Sequence, residues 1–441
     1  MLRHIAESPA RVIEGICRVK LTNRHTVVSG LALVSVLAVS ACSATTSPTP
    51  GSSVTGAGGA SSSAAGASGG ATSSGATTPA TQTPTVDPVS WKTSPGDEAQ
   101  DVAVDTRVTA SADGGTLESA TLSYLSKKGN TIPVDGVLKD GTWTAGDLLE
   151  PGVKYTLKLA AKDNGGQVTE AKRTFRTANL TLDDQVYVAV SPRDGGTVGI
   201  GLPVVVRFDL PVVDKATFEK HMSVTTKPAQ AGSWYWLSSK EAHWRPKTYW
   251  KPGTTVTVDA ALNGVPAGGG RYGEMSRTST FTIGRSVIAK VDLKKDQMQV
   301  MIDGKLARTI PVTGGQPGFI TRSGVKVIMD KVTNITMKAE TIGLKKGDTG
   351  YYQDTPVKWA LRVTNSGEFL HSAPWSVKDQ GKRNVSHGCT GMSDANAEWV
   401  YNNMVIGDVV ETTGTDRPMT MGNGYADWNL NPAKWAAGSA L

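Results

Sequence analysis

The chain has 441 residues, of which 39% are hydrophobic, and a formal net charge of +7. That length exceeds one ordinary domain and suggests roughly two to four. No dense Lys/Arg block with interleaved aromatic residues occurs, so nucleic acid is set aside as a partner, while the modest positive balance suits an anionic surface such as cell wall.

Residues 1–41 read as an export signal. Basic side chains at Arg3, Arg11, Arg18, Lys20 and Arg24 lead into the apolar run Val27–Val39, which is short for a membrane span. The run ends in Val39-Ser40-Ala41-Cys42. Small residues ahead of a cysteine resemble a bacterial lipobox, in which that cysteine is lipidated and becomes the mature N-terminus. Ordinary signal cleavage, with Cys42 incidental, is the plainer alternative. Lipidation would anchor the protein to the outer face of the cell membrane, with the rest of the chain extracytoplasmic. Cys17 would then be removed and Cys42 acylated, leaving Cys389 as the one free thiol and no disulfide within the mature chain. A lone thiol in an exported protein is either a buried, inert side chain or a nucleophile.

Residues 42–86 form the next segment, uncharged and almost entirely Ser, Thr, Ala, Gly and Pro. Such a stretch cannot bury enough apolar surface to fold and is expected to be a tether spanning roughly 35–40 Å. An internal repeat follows. Pro151-Gly152-Val153-Lys154-Tyr155-Thr156-Leu157 matches Pro252-Gly253-Thr254-Thr255-Val256-Thr257-Val258, Trp143 and Trp244 share the same offset, and each unit closes on a strand around Phe175 or Phe281. Alternating apolar positions and turn signals predict two immunoglobulin-like β-sandwiches over residues 87–180 and 181–284.

From residue 285 the pattern changes. Asp303-Gly304 predicts a hairpin turn between Gln299–Ile302 and Lys305–Ile310, and further strands are expected at Lys326–Met329, Trp359–Val363 and Asp408–Glu411. One main helix is expected after Ser393, with Ala397, Val400, Tyr401 and Met404 on one face. The chain is therefore expected to be mainly β, with a β-rich domain over 285–413 and a tryptophan-containing tail, 414–441, packed back on it.

Ser386-His387-Gly388-Cys389, with His371-Ser372 sixteen residues before His387, is the strongest chemical signal. A thiol near neutral pH is mostly protonated and needs a base or a positive field to attack acyl groups. His371 could be that base, and Gly388 lets backbone amides approach an oxyanion. A buried structural Cys/His pair and a metal site are the competing readings. Zinc would need further ligands, and His221 and His243 belong to the second sandwich. No metal and no cofactor is demanded.

The stretch His371-Ser372-Ala373-Pro374-Trp375-Ser376, then Ser386-His387-Gly388-Cys389, then Trp399 and Gly407-Asp408, resembles the L,D-transpeptidase (YkuD) family, particularly its mycobacterial members. The resemblance covers about residues 286–441, and the preceding pair of sandwiches is similar too. It implies that Cys389 is the nucleophile, forming a thioester with a donor tetrapeptide stem of peptidoglycan. His371 would move the proton, oriented through the Ser372 carbonyl, and the Gly388 and Cys389 amides would make the oxyanion hole, with His387 supporting the loop. The acyl group would pass to a diamino-acid side-chain amine, giving a 3→3 cross-link, and β-lactams of the carbapenem type would be covalent inhibitors. Tyr352 matches a lid tyrosine, with Tyr351 as its alternative. Ser366 and Gly367 match a stretch lining the donor site, beside Trp375.

One position departs from the family pattern. Gly391 stands where asparagine is usual. Slow acylation is expected, with Gly391→Asn faster if the backbone admits a side chain, and neutral or harmful if the glycine serves a positive φ. A catalytically weak or inactive wall-binding lipoprotein and a thiol-dependent carboxypeptidase or attachment enzyme on the same fold are the alternatives. Two other patterns are set aside. Gly268-Gly269-Gly270-Arg271-Tyr272-Gly273 fits GxGxxG without a following helix and reads as a hairpin, and Ser323-Gly324-Val325-Lys326 fits SxxK but opens a strand.

Overall fold

Alternating side chains make the strands of the first sandwich. Along Lys154–Asp163, Tyr155, Leu157, Leu159 and Ala161 are buried while Lys154, Lys158 and Lys162 face outward. In the computed structural model, which describes residues 87–126 and 128–441, this strand is central in a five-stranded sheet. The export signal, Cys42 and the tether lie outside the described residues. The sheet's other strands are Ala99–Val102, Val168–Thr177, Gly115–Leu125 and Thr131–Val134. A second sheet of Ser90–Ser94, Thr109–Asp113, Thr142–Ala145 and Gly136–Lys139 completes the sandwich, with Val108, Leu122, Trp143, Tyr155 and Phe175 in the core.

The second sandwich repeats that plan. Val188–Ser191, Val204–Phe208, Glu241–Pro246 and Gly232–Trp236 form one sheet; Thr197–Val198, Arg277–Ile283, Thr255–Ala260 and Met222–Lys227 form the other. The sequence repeat is visible in the pairing, Tyr155 with Phe175 in the first sandwich and Val256 with Phe281 in the second. Trp143 and Trp244 are both buried. The Pro-Gly pair before each central strand turns at positive φ, 70° at Gly152 and 76° at Gly253. Gly268–Gly270 join Pro266–Gly268 to Arg271–Gly273 as a glycine-rich hairpin.

After Arg285 the chain builds two more sheets. The first has the order Lys305–Pro311, Gln297–Ile302, Val287–Asp292, Val409–Thr413, Gly324–Val327; the second runs Asp330–Met337, Thr355–Arg362, Phe369–Ser372, Thr390–Met392. Asp303 and Gly304, at φ 48° and 78°, make the two-residue hairpin turn. The strand expected to reach Met329 stops at Val327, because the chain there crosses to the second sheet at Asp330. The main helix, Asp394–Asn403, buries Ala397 and Val400, and with Met404 they join a core shared by both sheets. Ser393 occupies its N-cap position but makes no side-chain capping bond.

The second sandwich and this domain share one apolar cluster, in which Val327 and Val409 pack with Trp234, Trp244 and Trp250. Gly199 allows the close approach: a Cβ there would lie 2.2 Å from the Asp408 amide nitrogen. The tail contacts both the catalytic domain and the second sandwich. Asn429 bonds both the amide and the carbonyl of Val325 in the catalytic domain, but the tail's tryptophans go to the second sandwich. The Arg245 guanidinium lies 4.6 Å from the Trp428 ring and 4.5 Å from the Trp435 ring, and Trp435 Nε1 donates to the Ser233 carbonyl at 2.9 Å. A buried cation on that sandwich needs π faces and carbonyls, and the tail supplies them.

Candidate active site

The two short parallel strands Phe369–Ser372 and Thr390–Met392 bring the motif residues together. Their register sets Leu370 beside Thr390 and His371 beside Gly391, with Cys389 entering its strand next to Phe369. The turn before Cys389 needs glycine: Gly388 has φ 116°, where an L side chain is strained. Ser386 ties that turn, its hydroxyl accepting the Gly388 amide at 3.1 Å and donating to the Cys389 carbonyl at 2.7 Å. The Gly388 amide therefore points at a hydroxyl that an oxyanion would have to displace or share.

Cys389 is partly exposed, opening on a cleft that His371, Tyr352, Trp375, His387 and Gly391 also line. Its thiol donates to the Gly367 carbonyl, with sulfur and oxygen 3.5 Å apart. Burial pushes the thiol up to about 11, against the Phe369 amide, which favours the thiolate. His371 is buried, and burial holds its pKa below the ordinary histidine value. Its Nδ1 lies 2.7 Å from the Ser372 carbonyl, so Nδ1 carries the proton and Nε2 keeps its lone pair. Ser372 in turn donates its hydroxyl to Asp394. The pair lining the cleft is thus a thiol raised by burial and an imidazole held neutral.

His387 faces a different element. Its Nε2 donates to the Gly350 carbonyl at 2.7 Å, and its ring packs 4.5 Å from Phe319 and 4.8 Å from Tyr352. It holds the 350–352 segment over the cleft. Of the two neighbouring tyrosines, Tyr352 lines the cleft, whereas the Tyr351 hydroxyl donates to Glu340 at 2.9 Å. Trp375 is 54% exposed, with its ring 6.2 Å from His371. Ser366 and Gly367 are not among the residues lining the cleft: Gly367 accepts the thiol, and Ser366 is held by Asn423 of the tail through its amide (2.9 Å) and its hydroxyl (3.0 Å). Among the described residues no three His, Cys, Asp or Glu side chains are grouped to hold a metal ion.

Gly391 has no positive φ and lies in an extended strand, bridged by two hydrogen bonds to Thr313. What limits it is space. A Cβ would sit 3.0 Å from the Ala373 Cβ and 3.2 Å from Thr313 Cγ2. The backbone admits a side chain there, but its neighbours crowd one, so the expected gain from asparagine lacks a vacant site.

Sequence reasoning passed over three charged residues behind the sulfur. Glu368 is 5% exposed and meets Lys326 Nζ at 2.7 Å and Arg322 Nη1 at 2.8 Å. Lys326 is the final residue of the discarded SxxK match. Strand alternation alone gives no reason to bury a lysine, and its partner lies 42 residues away.

Two protein families match this chain. The bacterial Ig domain family matches residues 99–266, and the L,D-transpeptidase catalytic domain family matches residues 286–412. L,D-transpeptidase 2 of Mycobacterium tuberculosis is 37% identical over 347 residues, covering 78% of this chain and 83% of the relative. L,D-transpeptidase 5 of the same species is 32% identical over 356 residues, covering 79% and 76%. Among solved structures, one of an LD transpeptidase in complex with imipenem is 34% identical and covers 51% of this chain and 97% of its own, with a TM-score of 0.46. The extent of these matches, through the sandwiches as well as the domain that holds Cys389 and His371, makes this chain a member of the L,D-transpeptidase family.

Proposed function

We propose that the protein cross-links peptidoglycan by transferring a tetrapeptide stem through Cys389. His371 Nε2 takes the thiol proton as the sulfur adds to the carbonyl before the terminal D-alanine. Collapse of the adduct forms the thioester and expels D-alanine, protonated by the imidazolium. The side-chain amine of a diamino acid on a second stem then attacks, His371 accepts its proton, and a 3→3 amide replaces the thioester. Carbapenems, which are strained acyl donors, would acylate the same sulfur. The observation that supports this reading best is a partly exposed thiol sharing one cleft with an imidazole whose Nδ1 is fixed 2.7 Å from a carbonyl. We further propose an extracytoplasmic location, with Cys42 lipidated, residues 42–86 as tether and the sandwiches as spacers toward the wall.

Mass spectrometry of the protein incubated with a tetrapeptide stem tests the chemistry. An acyl adduct on the Cys389 peptide that decays into a cross-linked dimer is expected; a dimer formed with no such adduct would contradict the route. Metabolic labelling with a fatty-acid probe tests the anchor, and label surviving Cys42→Ala would refute it.

A further inference from the structure

The thiol is gripped from behind by a short segment. Gly367 accepts the S–H at 3.5 Å, and the Phe369 amide favours the thiolate. Glu368 lies between these two residues, and its carboxylate is enclosed. Lys326 Nζ reaches one oxygen at 2.7 Å; the Arg322 guanidinium and backbone amide reach the other at 2.8 Å and 3.1 Å. Lys326 is 2% exposed and Glu368 5%. The Glu368 amide is held by Thr364 Oγ1 at 2.8 Å, and its Cγ would lie 3.8 Å from a Cβ placed on Gly388.

A buried carboxylate with two cations is an expensive arrangement. Apolar residues of similar size are often as stable, so such a cluster calls for a role beyond stability. Charges of both signs act on the sulfur: after burial, Glu368 pushes the thiol up, whereas Lys326 and Arg362 pull it down, and Arg322 pairs with Glu368. Arg362 also packs its guanidinium 4.5 Å from the Phe369 ring. In front of the sulfur the titratable neighbours are His371, held neutral by burial, and the Tyr352 phenol. His387 is turned to Gly350.

We propose that Lys326, Glu368 and Arg322 form a buried positioning cluster for Cys389, in which Glu368 fixes the backbone that grips the sulfur and the surplus positive charge favours its thiolate. None of the three lines the cleft; each acts through the sulfur or the segment holding it. The inference rests on Cys389 being the nucleophile, but its test does not depend on turnover.

Alkylation of the full-length protein by iodoacetamide, followed on the Cys389 peptide across a range of pH, reads the thiolate directly. Lys326→Gln should move the profile to higher pH by about one unit, roughly tenfold slower alkylation at a fixed pH. Glu368→Gln should move it the other way, because it removes the opposing negative charge. A merely structural cluster would move both variants in the same direction or leave both profiles in place, and either result overturns the proposal. Should Lys326→Gln fail to fold, Arg322→Gln replaces it: Arg322 is 15% exposed, and its loss should shift the profile upward as well. Opposed shifts without a tetrapeptide adduct on Cys389 would uphold the cluster and refute the transpeptidation route instead.

Discussion

Arg207, Glu241, His243 and Asp427 tie the second sandwich to the C-terminal tail, whereas Arg322, Lys326 and Glu368 lie behind Cys389. Both clusters bury carboxylates against cations. His243 bonds Asp427 through Nδ1 at 2.6 Å and Glu241 through Nε2 at 2.8 Å, and Arg207 grips Glu241 through two nitrogens, at 3.0 and 3.2 Å. In the first cluster every charge is spent on its neighbours across a joint, so its consequence is where the tail sits. In the second, two cations meet one carboxylate behind the thiol proposed as the nucleophile. The same side-chain chemistry specifies assembly in one place and reactivity in the other, according to what lies next to it.

The sharpest way to break this comparison is at the reacting pair itself. Cys389→Ala should abolish cross-linking with melting nearly unchanged. His371→Ala should lose on the order of 10³-fold or more in turnover, since nucleophile and base act as a unit and their losses do not add. Cross-linking assayed by chromatography of the products checks both, and retention of more than a small fraction of activity by Cys389→Ala would remove the distinction between the two clusters.

Next comes the joint. Asp427→Ala leaves the buried His243 without its Nδ1 partner and should cost about 3–5 kcal/mol of stability by denaturant titration. The alkylation profile of Cys389 in the folded fraction should not shift. The same cluster sets a pH dependence. Burial would push His243 down, but Asp427 and Glu241 outweigh it and raise it to about 9. Because the folded value lies above the unfolded one, the stabilisation is full below the ordinary histidine value of 6.5 and is lost as pH rises through about 9. Glu241, burial notwithstanding, is held at about 2 by His243 and Arg207, so its contribution is lost only as pH falls from the ordinary glutamate range toward that value. The difference in unfolding free energy between wild type and His243→Gln should shrink by about 2 kcal/mol between neutral pH and pH 9. A difference that is constant over that window would mean the imidazole is not charged in the folded protein.

The smallest effect belongs to Gly391. With Ala373 and Thr313 crowding its Cβ position, Gly391→Asn should cost about 1–3 kcal/mol in stability. Acylation by a carbapenem, followed by stopped-flow, should be no faster than in wild type. A variant both stable and faster would show that Thr313 and Ala373 yield readily and that the missing amide limits the reaction.

What could be read from the sequence is what depends on local pattern or on motif order. The 101-residue repeat, with Trp143 and Trp244 in equivalent places, announced two similar sandwiches because each unit repeats its own alternation and Pro-Gly turn. Asp303-Gly304 announced its hairpin, and the order of His371, Ser386, His387, Gly388 and Cys389 pointed to the L,D-transpeptidase family. The illegible parts are contacts between distant segments. His243 and Asp427 are 184 residues apart, and the tail's tryptophans are drawn to Arg245 on the sandwich, which no pattern within residues 414–441 discloses. Nor does local sequence reveal that Lys326 is buried against Glu368, or that Gly391 answers to crowding by Thr313 rather than to backbone angle.

The central claim is that an acyl group passes through the Cys389 sulfur. Rapid quenching of the protein with a tetrapeptide stem, followed by intact-mass and peptide mass spectrometry, tests it most directly. The account expects an adduct of the stem less its terminal D-alanine, on Cys389, formed before the dimer and consumed as acceptor amine is added. Dimer appearing at full rate while Cys389 stays unmodified, or an adduct that acceptor does not discharge, would contradict it.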